Sequence, residues 1–189
     1  LPELDPWESD AHLRRLADRV LDRVHTESDQ ARLAHLHDVL FDSERFQGNV
    51  SDYYDPLNSY LPAVLNSRLG IPITLTLIYK CVGERSGLRV YGINAPGHFL
   101  AGVELASDLM YIDPFYGGKM LAREEAFERI AQATGTSVPA SEQFLEKATH
   151  RQWLSRILNN LQVIFAHQGR QRDLAAMQEL QQLLAEYAD

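Results

Sequence analysis

A histidine and an aspartate, which together can form an acid–base pair, lie on neighbouring predicted strands of this sequence. His98 follows a Pro-Gly turn and begins one apolar run, and Asp113 lies at the end of the next run. A short loop between two antiparallel strands would bring these side chains together. In such a pair the carboxylate fixes the tautomer of the imidazole, and the imidazole takes a proton from a nucleophile or from water. The pair therefore indicates acid–base chemistry; the alternative is a buried hydrogen bond that only stabilises the strands.

A nucleophile for such a pair would gain from a position at the N-terminus of a helix, where the helix dipole favours negative charge. The most apolar segment of the chain predicts a buried helix over residues 72–86, with Pro72 in its first turn and Gly87 at its end. Thr74 then occupies the place of the nucleophile. A threonine hydroxyl has a high pKa and depends on a dedicated base, so its other interpretation is a hydroxyl that satisfies backbone N–H groups in the first turn.

Cys81, the single cysteine of the chain, is the rival nucleophile. It follows Thr74 by two helical turns, so it would lie about 10 Å further along the axis at a rise of 1.5 Å per residue. That position is out of reach of a histidine that serves the helix N-terminus. Burial in an apolar helix also raises the pKa of a thiol. We therefore expect Cys81 to be a core residue.

A polar and aromatic block, "YYDPLNSY", precedes the predicted buried helix and a shorter helix that ends near Leu69 and Gly70. It could line a cleft over His98, with an asparagine as hydrogen-bond donor. The alternative is that the aspartate and the asparagine cap a turn and the tyrosines pack. The candidate binding residues of this block are Tyr54, Asp55, Asn58 and Ser59.

Arg68 and Asn94 are two further candidate binding residues. Arg68 could anchor an acidic ligand, or it could pair with a surface carboxylate of the same chain. Asn94 lies shortly before the Pro-Gly turn that leads to His98.

Metal and cofactor sites are not indicated. The segment "HLHD", with His35 and His37, lacks the i, i+4 spacing of helical zinc ligands, and we expect a solvated helix surface there. A single cysteine excludes a multi-cysteine zinc site and an internal disulfide. No Gly-rich phosphate loop is present, so we expect no cofactor.

The predicted helices and strands that carry these residues indicate an α+β fold. The pattern is helical from Trp7 to about Leu40, which gives an N-terminal helical layer. A helix is also predicted over "LAREEAFERIAQATG", and two helices broken at residues 168–169 form a C-terminal hairpin. Three runs rich in β-branched and aromatic residues predict a small antiparallel sheet: "RVYGINA", "HFLAGVEL" and "LMYIDPF". We divide the chain into a domain over residues 1–150 and a helical hairpin over residues 151–189 packed on it.

The composition is that of an ordinary globular protein, with 45% hydrophobic and 23% charged residues. The chain carries 18 basic and 26 acidic residues, for a net charge of −8. Nucleic acids and anionic membranes are therefore unexpected partners. No apolar run approaches the roughly 20 residues that span a bilayer, and the single cysteine suits a reducing cytosol. We expect a cytoplasmic protein, and the sequence gives no signal for its oligomeric state.

The sequence resembles the SirB-type transglutaminase-like family, whose members join a cysteine-protease-like core to tetratricopeptide-like C-terminal helices. The resemblance covers about residues 46–165. It rests on four blocks in order: "FQGNVSDYYDPLNSYLPAVLNSRLGIPITLTLIY", "GINAPGHFL", "YIDPFYGGKML" and "RILNNLQVIF".

The resemblance implies that His98 and Asp113 match the catalytic histidine and aspartate of the core. In catalytically competent relatives the helix N-terminus carries a cysteine, whereas here "GIPITLTL" places Ile73 or Thr74 there. Two functions follow. The first is a non-catalytic or residual-site module that binds a peptide or protein ligand. The second is a hydrolase or acyltransferase that uses Thr74 or an activated water, with His98 as base and Asp113 as the residue that orients it.

Overall fold

A computed structural model of the chain describes residues 6–106, 108–135 and 141–186, which form seven α-helices and six strands. The predicted α+β fold is confirmed. The helices are α1 (Pro6–Leu21), α2 (Asp29–His37), α3 (Leu61–Ser67), α4 (Pro72–Arg85), α5 (Arg123–Thr134), α6 (His150–His167) and α7 (Gln171–Glu186). The strands are β1 (Gln47–Gly48), β2 (Leu69–Gly70), β3 (Arg89–Ile93), β4 (Leu100–Leu105), β5 (Asp108–Asp113) and β6 (Lys119–Leu121).

Helix α4 is the central element of the core, as its apolar sequence predicts. Pro72 opens it, and nine of its residues are buried around its whole circumference. The apolar stripe of α1, which includes Leu16 and Val20, packs against it from one side, together with Leu36 of α2. Each such side chain contributes about 1.5–3 kcal/mol when it leaves water. The N-terminal helices therefore hold α4 in place against the sheet.

The main sheet has the strand order β3-β4-β5-β6, and all its pairs are antiparallel. Alternate residues of its strands face opposite sides. Val103 and Ile112 face the core around α4, whereas Leu100 and Tyr111 pack with Ile130 of α5. The sheet is thus a layer between α4 and α5. The predicted meander of three strands is confirmed, and β6 is an additional strand whose three residues are too few to show alternation.

The end of α3 differs from the prediction. The helix stops at Ser67, and Arg68 adopts the left-handed conformation with φ 66°. Gly70 is instead part of β2, which pairs in parallel with β1. A Cβ at Gly70 would meet Val64 Cγ1 at 2.8 Å, so the glycine is required for close packing rather than for the helix end.

The C-terminal helices lie where the sequence predicts them. Helix α6 begins with a capping box between Thr149 and Gln152, and its Trp153 ring lies 4.7 Å from the Phe99 ring. Helix α7 packs along α6, and none of its described residues is fully buried. Because Trp153 belongs to the cluster that contains Ile71 and Ile73, α6 shares its core with the start of α4. Across the three described ranges, no helix combines the length and the apolar character needed to cross a membrane.

Candidate functional site

The register of β4 and β5 brings His98 and Asp113 together. Ala101 pairs with Ile112, so the residue two places before β4 stands beside the last residue of β5. His98 Nε2 lies 3.0 Å from Asp113 Oδ1 and 3.1 Å from Oδ2. The histidine side chain is 6% exposed and the aspartate is fully buried. The two residues thus form a desolvated pair at one end of the two inner strands, β4 and β5.

Asp113 also has structural partners. Its Oδ1 accepts a hydrogen bond from the Phe115 backbone N–H, because Asp113 caps the short 3₁₀ turn that follows β5. Its Oδ2 lies 3.0 Å from Arg129 Nε on α5. That N–H is not aligned with the carboxylate as a hydrogen bond requires, so the contact is an ion pair. The arginine was not identified from the sequence, since its position on α5 reads as an ordinary helix surface.

The hydrogen bond determines which nitrogen of His98 is available. A carboxylate only accepts, so His98 Nε2 carries the proton that it donates to Asp113. In the neutral ring, Nδ1 then keeps its lone pair. Within the described ranges, no hydrogen bond reaches Nδ1. The ring is therefore oriented as a base whose free nitrogen is Nδ1.

The start of α4 carries Ile73 and Thr74, the two residues at the expected position of the nucleophile. Thr74 is 1% exposed, and its Oγ1 has no hydrogen-bond partner among the described residues, so it is not bonded to either nitrogen of His98. Ile73 lies in the wall of a cavity that His98 also lines, whereas Thr74 does not. Thr76 ties α4 to β4, because its Oγ1 donates to the Phe99 carbonyl at 3.3 Å. The structure thus places Ile73, not Thr74, across the cavity from the histidine.

This cavity is small. Its volume is about 20 Å³, and its wall includes Tyr53, Ile73, His98 and Arg156. One water molecule needs about 10–15 Å³ of such volume. The space beside His98 therefore has room for about one water molecule.

An aromatic cluster surrounds His98. The Phe115 ring lies edge-on to the imidazole at 6.1 Å, and the Tyr116 ring lies 6.2 Å away. Tyr53 contacts Phe115 at 6.0 Å and Tyr54 at 5.4 Å. Burial raises the pKa of the Tyr53 phenol, and Arg156 opposes that effect. Tyr54 and Tyr116 are 64% and 52% exposed, so the cluster reaches the surface.

Arg156 of α6 is a second residue of the site that the sequence did not indicate. Its Nη1 donates to Asn94 Oδ1 at 3.0 Å and to the Ala95 carbonyl at 3.3 Å. These bonds attach α6 to the loop that precedes His98. Burial lowers the pKa of Arg156, and the nearby Tyr53 phenol opposes this effect. The sequence predicts that Arg156 lies on a helix, but it does not show that the side chain reaches the loop before His98.

The polar block predicted to line the site has mostly structural contacts. Asp55 Oδ1 accepts from the Leu57 backbone N–H and caps a 3₁₀ turn. Asn58 is buried, and its amide group donates to two loop carbonyls and accepts from Asn49 Nδ2. Ser59 is buried, and its hydroxyl has no partner in the described chain. Of these residues only Tyr54 is exposed, so the asparagine and the aspartate shape the loop that carries the tyrosines.

Arg68 and Asn94 are separated in the structure. Arg68 Nε donates to Glu44 at 2.8 Å, and its guanidinium group stacks over Phe46. Neither Glu44 nor Phe46 is among the described residues that bond to His98 or place a ring beside it. Asn94, by contrast, accepts from Arg156 and lines the cleft next to the histidine loop.

Two other sequence expectations concern residues away from the site. Burial raises the pKa of Cys81, which is partly buried on α4, in agreement with its expected place in the core. The expectation of a solvated surface is wrong for His37, whose Nε2 is 2.9 Å from the Tyr79 hydroxyl. Within the described ranges, no three histidine, cysteine or acidic side chains are grouped to hold a metal ion.

Comparison with known sequences gives one family. The sequence model of the transglutaminase-like superfamily matches residues 8–159. A UPF0162 protein of Xylella fastidiosa strain 9a5c is 40% identical over 142 residues, which are 74% of this chain and 50% of that protein. A UPF0162 protein of Vibrio cholerae is 29% identical over 105 residues, 55% of this chain and 39% of that protein.

The F-box only protein 21 of Homo sapiens is 40% identical over 102 residues, which are 50% of this chain and 16% of that protein. The chain spans about half the length of the Xylella relative. No solved structure matches the chain.

Proposed function

The chain belongs to the transglutaminase-like superfamily, and because no nucleophile of its described site is bonded to His98, we propose that it is a non-catalytic module that binds a peptide or a protein segment. Ile73 replaces a nucleophilic side chain with an aliphatic one. The His98–Asp113 pair then has a structural role, because its buried hydrogen bond joins the start of β4 to the end of β5.

The observation that carries the proposal is the aromatic cluster that lies around a nearly closed histidine. Tyr54 and Tyr116 expose large parts of their rings, while Tyr53 and Phe115 connect them below. Tyrosine is enriched at protein interfaces because it offers a rigid apolar ring with a polar tip. Such a surface suits an extended peptide that lays its side chains against the rings.

The distribution of the family supports a modular role. In the human F-box only protein 21 the matched region is 16% of the chain, so related sequence occurs there as one part of a longer protein. A domain that occurs inside a longer chain commonly contributes a binding surface or an activity to the whole. For this chain, the side chains around His98 support a binding surface rather than a reaction.

The experiment is a selection of displayed peptides on the full chain, followed by measurement of their affinities by fluorescence polarisation. We expect recovered peptides to lose about tenfold or more in affinity for the Tyr54→Ala and Tyr116→Ala variants, since an aromatic anchor at an interface commonly contributes more than about 1.4 kcal/mol. Leu183→Ala is the matched control, because it removes an apolar side chain that is 43% exposed on α7. Equal affinity for all variants would remove the aromatic cluster from the proposal.

The same peptides test the alternative function. The alternative is a hydrolase that activates a water molecule or an acyltransferase that uses Thr74. The cavity beside His98 has room for one such water. Mass spectrometry of the peptide and of the protein after incubation detects cleavage or acylation. We expect neither. Cleavage or acylation by the wild type that is lost in His98→Ala would replace the binding proposal with a catalytic one.

A further inference from the structure

Arg156 is an arginine without a carboxylate partner in a partly buried position. Two other half-buried arginines of the described chain, Arg68 and Arg129, each pair with a carboxylate, Glu44 and Asp113 respectively. Among the described residues, Arg156 forms hydrogen bonds only to neutral oxygens, those of Asn94 and Ala95. A guanidinium group stays charged at neutral pH and loses hydration when it is buried. Its charge is therefore uncompensated by any described residue.

Part of the guanidinium group is free to bind. Both of these hydrogen bonds use Nη1, whereas Nε and Nη2 have no hydrogen-bond partner in the described ranges. Neither atom is among the fully buried polar atoms that lack partners, so both have access to solvent. The Nε–Nη2 edge of a guanidinium presents two parallel N–H groups, which match the two oxygens of a carboxylate.

The surroundings of Arg156 favour an anion. On one side it lines the small cavity with His98, and on the other it lines an open cleft of about 500 Å³. The residues of this cleft are Asn94, Arg151, Gln152, Ser155, Arg156 and Asn159. No acidic residue of the described ranges lines either space, although the chain carries 26 acidic residues and a net charge of −8. The positive charge is therefore concentrated next to the aromatic cluster.

We propose that Arg156 is the anchor of a subsite that binds a carboxylate group of the peptide held against the aromatic cluster. This inference depends on the proposed binding function. Side-chain amides from Asn94, Gln152 and Asn159 surround the anchor as neutral hydrogen-bonding groups, and Arg151 adds a second positive charge. The planar fork of one guanidinium edge matches the two oxygens of a carboxylate in a bidentate contact. The carboxylate comes from a peptide C-terminus or from an Asp or Glu side chain.

The test compares peptides that differ only in charge. N-acetyl-Ala-Tyr-Ala is titrated into the ¹⁵N-labelled full chain as the free acid and as the carboxamide, and affinities are taken from the shifts of the amide resonances. N-acetyl-Ala-Tyr-Glu-Ala-amide and its Gln counterpart form the second arm, which tests a side-chain carboxylate. We expect one acid to bind about tenfold more tightly than its neutral counterpart, as a charge-assisted bidentate contact predicts.

Variants of the anchor complete the test. In Arg156→Gln the ratio of acid to neutral affinity should fall to about one, and in Arg156→Lys it should fall only in part, because the charge remains without the planar fork. Arg14→Gln is the matched control, since it removes an exposed arginine that pairs with Asp10 on α1. Because the ratio of acid to neutral affinity is measured within each variant, a general loss of stability does not produce the same result. If Arg156→Gln does not fold, the ratio in Arg156→Lys tests the inference.

Several outcomes would overturn the inference. A ratio of about one in the wild type, or a ratio unchanged in both Arg156 variants, removes the carboxylate subsite while peptide binding stands. Tighter binding of the corresponding phosphoserine peptide than of either acid assigns the subsite to a phosphate instead. If no peptide binds, charged or neutral, the proposed function is overturned together with the subsite.

Discussion

Asp113 Oδ2 lies 3.0 Å from Arg129 Nε, so one buried carboxylate serves both the histidine of the candidate site and an arginine from α5. The Arg129 guanidinium group also lies over the Tyr116 ring at 4.0 Å. The arginine thereby links the aspartate to the exposed aromatic cluster. Loss of the aspartate would affect both the packing of α5 and the orientation of the imidazole.

The first prediction concerns this shared carboxylate. Asp113→Asn leaves the Arg129 guanidinium without its counter-ion, and the side chain of that arginine is only 15% exposed. Removal of one partner from a buried ion pair commonly costs about 3–5 kcal/mol. We expect a loss of this size in the free energy of unfolding, measured in urea.

Asp108→Asn is the control, because Asp108 begins the same strand and is exposed. Its effect should stay within about 0.5 kcal/mol. Similar unfolding midpoints for wild type and Asp113→Asn would show that the ion pair contributes little.

The second prediction restores a thiol to the site. In a Cys81→Ser background, Ile73→Cys places a thiol in the wall of the cavity that His98 lines. The helix N-terminus and the imidazole should stabilise the thiolate, so we expect a thiol pKa about one unit or more below the usual value of about 8.5. The ultraviolet absorbance of the thiolate, followed against pH, gives this value.

Thr74→Cys in the same background is the comparison, since the Thr74 side chain does not line that cavity. Addition of His98→Ala to the Ile73→Cys variant should raise the thiol pKa again. A lower pKa at position 74 than at position 73 would reverse the assignment of the nucleophile position.

The third prediction is a pH dependence that originates at His37. Burial lowers the pKa of His37 below its ordinary value of 6.5, although Asp38 and Asp42 oppose that effect. The unfolded chain then binds this proton more readily than the folded chain does. The stabilisation is present above about pH 6.5 and is lost as the pH falls toward the lower folded value.

Urea unfolding of wild type and His37→Gln between pH 5 and pH 7.5 checks this effect. The stability of the variant should decline less on acidification than that of the wild type. The exposed His25→Gln is the control and should follow the wild-type curve. His12, whose pKa is also lowered by burial, remains in all three proteins and cancels in the comparison. Parallel curves for His37→Gln and wild type would exclude His37 as a source of the pH dependence.

The fourth prediction concerns the attachment of α6 to the sheet. A Cβ on Gly92 would overlap the Trp153 indole, which is only 5% exposed. We expect Gly92→Ala to cost about 1–3 kcal/mol, as overpacking commonly does. Gly102→Ala on β4 is the matched control, because its Cβ would meet only the flexible ends of Leu109 and Ile93.

A double-mutant cycle identifies the cause. Trp153→Ala removes the obstacle, so the cost of Gly92→Ala should shrink by more than about 0.5 kcal/mol in that background. Strictly additive costs would show that the glycine is required for a reason other than the tryptophan.

Much of the candidate site was predictable because its parts are local. The pairing of His98 with Asp113 follows from two strands joined by a short turn, and the alternation of apolar residues sets their register. The buried helix that starts at Pro72 follows from a long apolar segment with a proline at its start. The catalytic and binding roles assigned to these residues, the SirB-type subdivision, the tetratricopeptide-like character of α6 and α7, and the boundary after residue 150 stay predictions.

Periodicity and turn residues act over a few positions, so they predict the helices and strands of this protein and the neighbours that lie within one hairpin. The folded chain adds contacts that no local pattern predicts: Arg129 reaches Asp113, Arg156 reaches Asn94, and Ile73 rather than Thr74 shares the cavity with His98. The two arginines come from helices whose rotation and depth are set by the burial of Ile130 and Trp153. Such packing depends on the whole core, so the residue pattern of a single helix does not predict it.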